Sequence, residues 1–121
     1  MKVLLVDDDY ELVQRKFNNV SAEFIFAENG EQAIQILAQN SVDIILMDGN
    51  LREEYGHEVV AKIREEGIVA KIVMFSSEDK QNDLGIKAGA NAVLNKKDFY
   101  KYIESGKLNE KLLDLFRRIL E

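Results

Sequence analysis

The stretch from Ile44 to Asp48 (IILMD) constrains the fold more than any other part of the sequence, because four apolar residues end abruptly at a carboxylate. A run this short, followed at once by Gly49, predicts a strand that is buried on both faces. Such strands occur in parallel sheets that are covered by helices. Binding sites in these sheets lie at the carboxyl ends of the strands, so Asp48 is the first candidate functional residue.

Three further apolar runs end in the same way. Val3 to Val6 is followed by Asp7, Asp8 and Asp9, Ile72 to Phe75 by Ser76 and Ser77, and Ala92 to Leu94 by Asn95 and Lys96. If these runs are neighbouring parallel strands, their carboxyl ends bring several acids, a hydroxyl and an ammonium group around Asp48. The sequence therefore predicts one polar site at one edge of the sheet.

Segments with helical apolar spacing separate the runs, so strands and helices alternate. The predicted strands are 2–6, 24–27, 42–47, 71–75 and 92–94, and the predicted helices are 10–20, 31–39, 57–66, 81–88 and 109–120. Residues 98–106 are expected to form an irregular tail segment with an aromatic patch and a turn. Five such βα units predict an α/β fold with a doubly wound parallel sheet and helices on both faces.

Composition excludes several classes of function. The net charge of −6 argues against nucleic acid as a direct partner, because phosphate binding needs a clustered basic surface. The absence of cysteine excludes disulfides, thiolate metal sites and cysteine nucleophiles. No apolar run is long enough for a membrane span or a signal peptide. We expect a single cytoplasmic domain with no membrane partner.

The clustered acids predict a magnesium site. Carboxylates at the ends of two adjacent strands repel one another unless a cation neutralises them. Oxygen ligands without histidine or cysteine suit Mg²⁺. A carboxylate that also faces a phosphate group can attack it and form an acyl phosphate. Lys96 and Mg²⁺ would supply positive charge to the phosphoryl oxygens, and Ser76 would donate a hydrogen bond to the product.

These residues together resemble the receiver domain of two-component response regulators, across essentially the whole chain. The resemblance rests on Val6-Asp7-Asp8, on Asp48 followed at fixed spacing by Leu51 and Gly56, on Ser76, on Gly89-Ala90 and on Leu94-Asn95-Lys96. It implies a flavodoxin-like, five-stranded sheet in the order 2-1-3-4-5. It also implies a stand-alone receiver over residues 1–121, with no output domain.

The resemblance implies a role for each site residue. Asp48 would accept a phosphoryl group from a phosphohistidine on a sensor histidine kinase or a histidine phosphotransfer protein. Mg²⁺ would be held by Asp8, Asp48 and the backbone carbonyl of Asn50, with Asp7 acting through water. Lys96 would pair with the phosphoryl oxygens, and Ser76 would move to bond the phosphorylated carboxylate. The protein would catalyse only its own phosphorylation and dephosphorylation, and is not expected to be an enzyme.

The resemblance also implies a signalling surface. The movement of Ser76 would remodel the face made by the fourth helix, the fifth strand and the last helix, where a downstream protein would bind. Val93 stands at the switch position that is usually aromatic, which puts signalling by a rotating ring in doubt. Asn50 and Glu78 lie two residues beyond the acceptor and the switch hydroxyl, and they are expected to tune dephosphorylation and keep the phosphorylated state short-lived.

Two alternatives remain. Lys97 replaces a usual proline, and together with Val93 this favours a degenerate receiver that binds a protein without being phosphorylated, although the intact acids, Ser76 and Lys96 oppose it. A Mg²⁺-dependent phosphohydrolase of the haloacid-dehalogenase type also uses an aspartyl phosphate. Its Asp-x-Asp-x-Thr/Val motif fails here because Glu11 follows Tyr10.

Overall fold

The computed structural model describes residues 1–121 as five strands and six α-helices. The strands are β1 (Lys2–Val6), β2 (Glu23–Ala27), β3 (Ile44–Asp48), β4 (Lys71–Phe75) and β5 (Ala92–Val93). The helices are α1 (Tyr10–Gln14), α2 (Gly30–Gln39), α3 (Gly56–Glu65), α4 (Asp79–Ala88), α5 (Lys96–Glu104) and α6 (Leu108–Leu120). None of these helices has the length and apolar character needed to cross a membrane.

All strand pairs are parallel, and the sheet order is β2-β1-β3-β4-β5. This confirms the predicted fold class and strand order. The side chains of β1 and β3 are buried on both faces of the sheet, apart from the half-buried Lys2. One apolar layer joins the sheet to α2 and α3 through Ala33, Val59, Val60 and Ile63. The other joins it to α1, α5 and α6 through Val13, Phe99, Leu112 and Phe116.

The predicted helix over 10–20 is too long. Helix α1 ends at Gln14, and a 3₁₀ turn over Arg15–Phe17 follows it. The apolar spacing misled the prediction because Val13, Phe17 and Val20 are all buried in the same layer, although only the first is α-helical. Leu12, the apolar residue next to Val13, is 70% exposed.

The expectation of an irregular tail over residues 98–106 is wrong over residues 98–104, which belong to α5. The Asn95 side chain accepts a hydrogen bond of 2.8 Å from the Lys97 backbone N–H and so caps the helix. The Phe99 ring is fully buried and lies 5.1 Å from the Phe17 ring and 5.0 Å from the Phe75 ring, centroid to centroid. The helix that directly follows β5 is therefore α5, and the predicted last helix is α6.

Arg64 connects three parts of the chain near the amino ends of β4 and β5. Its guanidinium donates hydrogen bonds to the carbonyls of Gly89, Ile68 and Ala70, and to the side chain of Asn91, at 2.8–3.0 Å. Burial lowers the pKa of Arg64 from its ordinary value, and the group remains a cation at neutral pH. The side chain thus joins the end of α3 to the start of β4 and the end of α4.

We expect Arg64→Ala to lower the free energy of unfolding by about 2 kcal/mol, because several carbonyl groups lose their donor. Urea denaturation followed by circular dichroism measures the change. Lys62→Ala is the matched control on the same helix, since Lys62 forms only an exposed ion pair with Glu54 at 3.7 Å and its removal should cost less than about 0.5 kcal/mol. Equal losses in the two variants would contradict the connecting role of Arg64.

Candidate functional site

The adjacent strands β1 and β3 bring three carboxylates together at their carboxyl ends. Val6 and Met47 are register partners, and Asp7 and Asp48 come directly after them. Carboxylate oxygens of Asp7, Asp8 and Asp48 all lie within 4.8 Å of one another. Asp7 is 1% exposed and Asp48 is 7% exposed, so their charges are poorly solvated. The predicted acid cluster therefore exists, and it is largely buried.

Lys96 reaches this cluster from the first turn of α5. Its Nζ lies 3.5 Å from Asp7 Oδ2 and 3.4 Å from Asp48 Oδ1, and it also lies 5.0 Å from the centre of the Phe75 ring. One ammonium group thus contacts two members of a cluster of three carboxylates, which leaves an excess of negative charge. Three hard oxygen donors with this charge excess fit the ligand preference of Mg²⁺.

The pKa values of Asp48 and Lys96 show how burial and charge compete. Burial raises the pKa of Asp48 to about 6; the charge of Lys96 opposes this shift and that of Asp7 adds to it. Burial lowers the pKa of Lys96, but the attraction of Asp48 and Asp7 outweighs this effect, and its pKa is raised overall. At neutral pH the site therefore presents an ionised, poorly solvated carboxylate next to a permanent cation.

Short local hydrogen bonds hold the acids in position. Asp7 Oδ1 accepts a bond of 2.9 Å from the Asp9 backbone N–H, and Asp48 Oδ1 accepts one of 3.3 Å from the Asn50 N–H. The β3–α3 loop closes through the Gly56 N–H, which donates to the Gly49 carbonyl at 2.9 Å. A Cβ atom on Gly56 would overlap the backbone carbonyl of Asp48. The glycine eight residues after Asp48 is therefore required by this close backbone approach.

Ser76 lies at the end of β4 and is 3% exposed. Its Oγ accepts a hydrogen bond of 3.1 Å from the Glu78 backbone N–H. The residues that line the open cleft include all the predicted phosphorylation and metal residues, namely Asp7, Asp8, Asp48, Asn50, Ser76 and Lys96. Glu78 and Val93 are not among the lining residues. Val93 is paired with Met74 on the edge strand and is 39% exposed.

The cleft lining also includes residues that were not predicted as site residues, among them Leu12, Lys16 and Tyr100. Lys16 Nζ lies 4.5 Å from the centre of the Tyr100 ring, which places the two side chains in a cation–π contact across the rim. Tyr100 was missed because α5 was missed, although the spacing of Phe99, Tyr102 and Ile103 is helical. Nothing in the local sequence marks Lys16 as a cleft residue.

Comparison with known proteins decides the family. The family model described as the response regulator receiver domain matches residues 3–104. The chain belongs to this family. Among curated relatives, this receiver is 28% identical to the transcriptional regulatory protein CiaR of Streptococcus pneumoniae, over 93% of the chain and 56% of that protein. The chain spans about half the length of the curated relatives it matches.

Solved structures support the same assignment. The receiver superposes on chemotaxis protein CheY4 of Vibrio cholerae with a TM-score of 0.76 and 25% identity, covering 98% of this chain and 97% of the other. It also matches the Mn²⁺-bound form of response regulator Rcp1 with a TM-score of 0.63 and 26% identity, over 86% of this chain and 89% of the other. Receivers work with sensor kinases in two-component signalling, generally bind Mg²⁺ at an acidic pocket, and are not enzymes in the usual sense.

Proposed function

We propose that this receiver takes a phosphoryl group onto Asp48 from a phosphohistidine of a sensor histidine kinase or a histidine phosphotransfer protein. The observation that carries the proposal is the position of one ammonium group beside a buried acid cluster. Lys96 Nζ lies 3.4 Å from Asp48 Oδ1, and Asp7 and Asp8 are the other members of the cluster. This arrangement supplies a nucleophile, a cation for phosphoryl oxygens, and oxygen ligands for a divalent ion.

In the transfer step, an Asp48 carboxylate oxygen forms a bond to phosphorus. The bond between phosphorus and the donor imidazole nitrogen breaks, and its electron pair returns to the imidazole. Lys96 stays protonated and holds the phosphoryl oxygens. Mg²⁺, held by Asp8, Asp48 and the Asn50 carbonyl with Asp7 acting through water, would supply further positive charge. The similarity to the Mn²⁺-bound form of Rcp1 supports the binding of a divalent ion by this receiver.

Ser76 and the edge of the sheet would convert this chemistry into a signal. The Ser76 hydroxyl leaves the Glu78 N–H, at a cost of about 1 kcal/mol, and bonds the acyl phosphate. The face made by α4, β5 and α6 then changes and binds a downstream protein. This face already exposes Ile86 and Val93, at 42% and 39%. Val93 has no ring, so this change would not use a rotating aromatic side chain at that position.

Asn50 and Glu78 would control how long the phosphoryl group survives. Both side chains are polar and exposed beside the cleft, where they can orient an attacking water molecule. We propose a short-lived phosphorylated state on this basis. We also propose that the protein is cytoplasmic and signals through protein partners. The net charge of −6 argues against direct contact with nucleic acid.

Fluorine NMR with Mg²⁺ and beryllofluoride, a phosphoryl mimic, tests the proposal without depending on the lifetime of a real phosphoryl group. We expect bound fluorine resonances that require both Mg²⁺ and the wild-type carboxylate, with Asp48→Asn as the control. Absence of bound resonances in the wild-type protein would contradict the proposal. It would favour the alternative, a degenerate receiver that binds its partner without phosphorylation, for which Lys97 and Val93 are the supporting residues.

A further inference from the structure

The backbone carbonyl of Ser76 is a shared acceptor at the end of β4. It accepts a hydrogen bond of 3.0 Å from the Asn82 side-chain Nδ2 on α4. It also accepts one of 3.3 Å from the backbone N–H of Lys96. A single oxygen atom thus joins α4, the residue that carries the switch hydroxyl, and the backbone of the residue that carries the ammonium group.

Asn82 is built into this arrangement and is not a surface residue. It lies in the second turn of α4, is 2% exposed, and its bond to Ser76 is buried. A hydrogen bond in such surroundings is stronger and more restrictive than one in water. The Asn82 side chain is therefore able to fix the position of the Ser76 carbonyl.

Stability alone does not explain a carboxamide at this position. Asn82 Oδ1 is buried without a hydrogen-bond partner in the protein, and Gln81 Oε1 beside it is in the same situation. An unpaired buried oxygen costs about 1–3 kcal/mol, which is at least as much as the Asn82 bond to Ser76 contributes. An apolar side chain of similar size would thus be tolerated by the fold, although it could not donate to Ser76.

We propose that Asn82 is a positioning residue for the phosphoryl site. By holding the Ser76 carbonyl, it fixes both the Ser76 hydroxyl and the backbone of Lys96 relative to Asp48. Asn82 does not line the cleft and has no hydrogen bond to the acid cluster, so it acts only through Ser76. The proposal rests on the proposed function, because positioning matters only if Ser76 and Lys96 bind a phosphoryl group.

The proposal predicts different effects of Asn82 on the binding of Mg²⁺ and on the binding of beryllofluoride. Mg²⁺ would be held at Asp7, Asp8 and Asp48. Asp7 and Asp8 directly follow β1, Asp48 ends β3, and none of them has a hydrogen bond to Asn82. The phosphoryl mimic also needs Ser76 and Lys96. Loss of the Asn82 bond should therefore weaken beryllofluoride binding and leave Mg²⁺ binding intact. A merely structural role would weaken both together.

The test compares Asn82→Leu with Gln81→Leu, a matched control that removes a neighbouring unpaired oxygen and no hydrogen bond to Ser76. In Asn82→Leu we expect beryllofluoride affinity to fall at least about tenfold, while Mg²⁺ affinity stays within about twofold. In Gln81→Leu both affinities should stay within about twofold. Asn82→Ala is a second variant of smaller volume should leucine prevent folding. Equal loss of Mg²⁺ and beryllofluoride affinity in the Asn82 variants would overturn the proposal.

Amide hydrogen exchange in the metal-free protein tests the link without any phosphoryl mimic. We expect the Lys96 N–H of Asn82→Leu to exchange at least about tenfold faster than in the wild type, while Leu5 in β1 is unchanged. Wild-type protection of Lys96 in both Asn82 variants would overturn the proposal. If the wild-type protein binds no beryllofluoride, the proposed function fails. The exchange result alone then tests whether Asn82 fixes the Ser76 carbonyl and the Lys96 backbone.

Discussion

Replacing Lys96 with methionine is expected to slow phosphorylation by a small-molecule donor such as acetyl phosphate about 10²- to 10³-fold. The ammonium group lies within 3.5 Å of both Asp7 and Asp48, so it is placed to hold the oxygens of a phosphoryl group bonded to Asp48. Methionine keeps much of the length of the side chain and removes only the charge and the donors. Intact-protein mass spectrometry measures the rate of phosphorylation in the presence of Mg²⁺.

The same substitution should strengthen Mg²⁺ binding. A cation beside the acid cluster repels a second cation, and its removal should raise Mg²⁺ affinity by about tenfold. Lys97→Met is the matched control, because Lys97 is exposed and does not line the cleft. Similar phosphorylation rates in the two variants, or weaker Mg²⁺ binding by Lys96→Met, would contradict the role given to Lys96.

Replacing Asp48 with asparagine is expected to stabilise the metal-free protein by about 2–3 kcal/mol at pH 7. In the unfolded chain Asp48 titrates near its ordinary pKa of about 4, whereas burial in the fold raises its pKa to about 6. The folded state therefore binds more protons than the unfolded state between these values. The free energy of unfolding of the wild type should fall as the pH rises from about 4 to about 6, and then level off.

Asparagine removes this penalty and leaves Lys96 paired with Asp7. The stability difference between Asp48→Asn and wild type should thus be full at pH 7 and nearly absent at pH 4. Urea denaturation in EDTA at the two pH values measures it. Asp83→Asn, at an exposed position of α4, should change stability by less than about 0.5 kcal/mol. If Asp48→Asn lowers the free energy of unfolding at pH 7, the buried charge of Asp48 does not destabilise the fold.

The sheet and most of the site follow from local sequence patterns. The apolar runs that end at Asp7, Asp48 and Ser76 are buried strands, and parallel pairing necessarily brings such ends to one edge. Lys96 was also predicted to reach the site, but its contacts with two acids depend on the geometry of α5. Helix α5 depends on the Asn95 cap and on the burial of Phe99, and the length of α1 depends on packing.

Asn82 shows what sequence patterns leave out. Asn82 has no distinctive position in the apolar pattern of α4, so the sequence predicts an exposed helical residue there. Only the three-dimensional arrangement shows that its amide reaches back six residues to the Ser76 carbonyl. Tertiary hydrogen bonds of this kind have no periodic signal, because they depend on how closely a helix lies against a strand.

The site residues differ in how firmly the strands next to them are paired. Asp7 and Asp48 belong to the interior of the sheet, where β1 forms five register pairs with β2 and four with β3. Ser76 and Lys96 border β5, an edge strand with only two register pairs to β4. The proposed nucleophile and metal ligands thus lie at the ends of strands that are paired on both sides. On the proposed function, a signal would cost little energy, because only the edge with few strand pairs would have to shift.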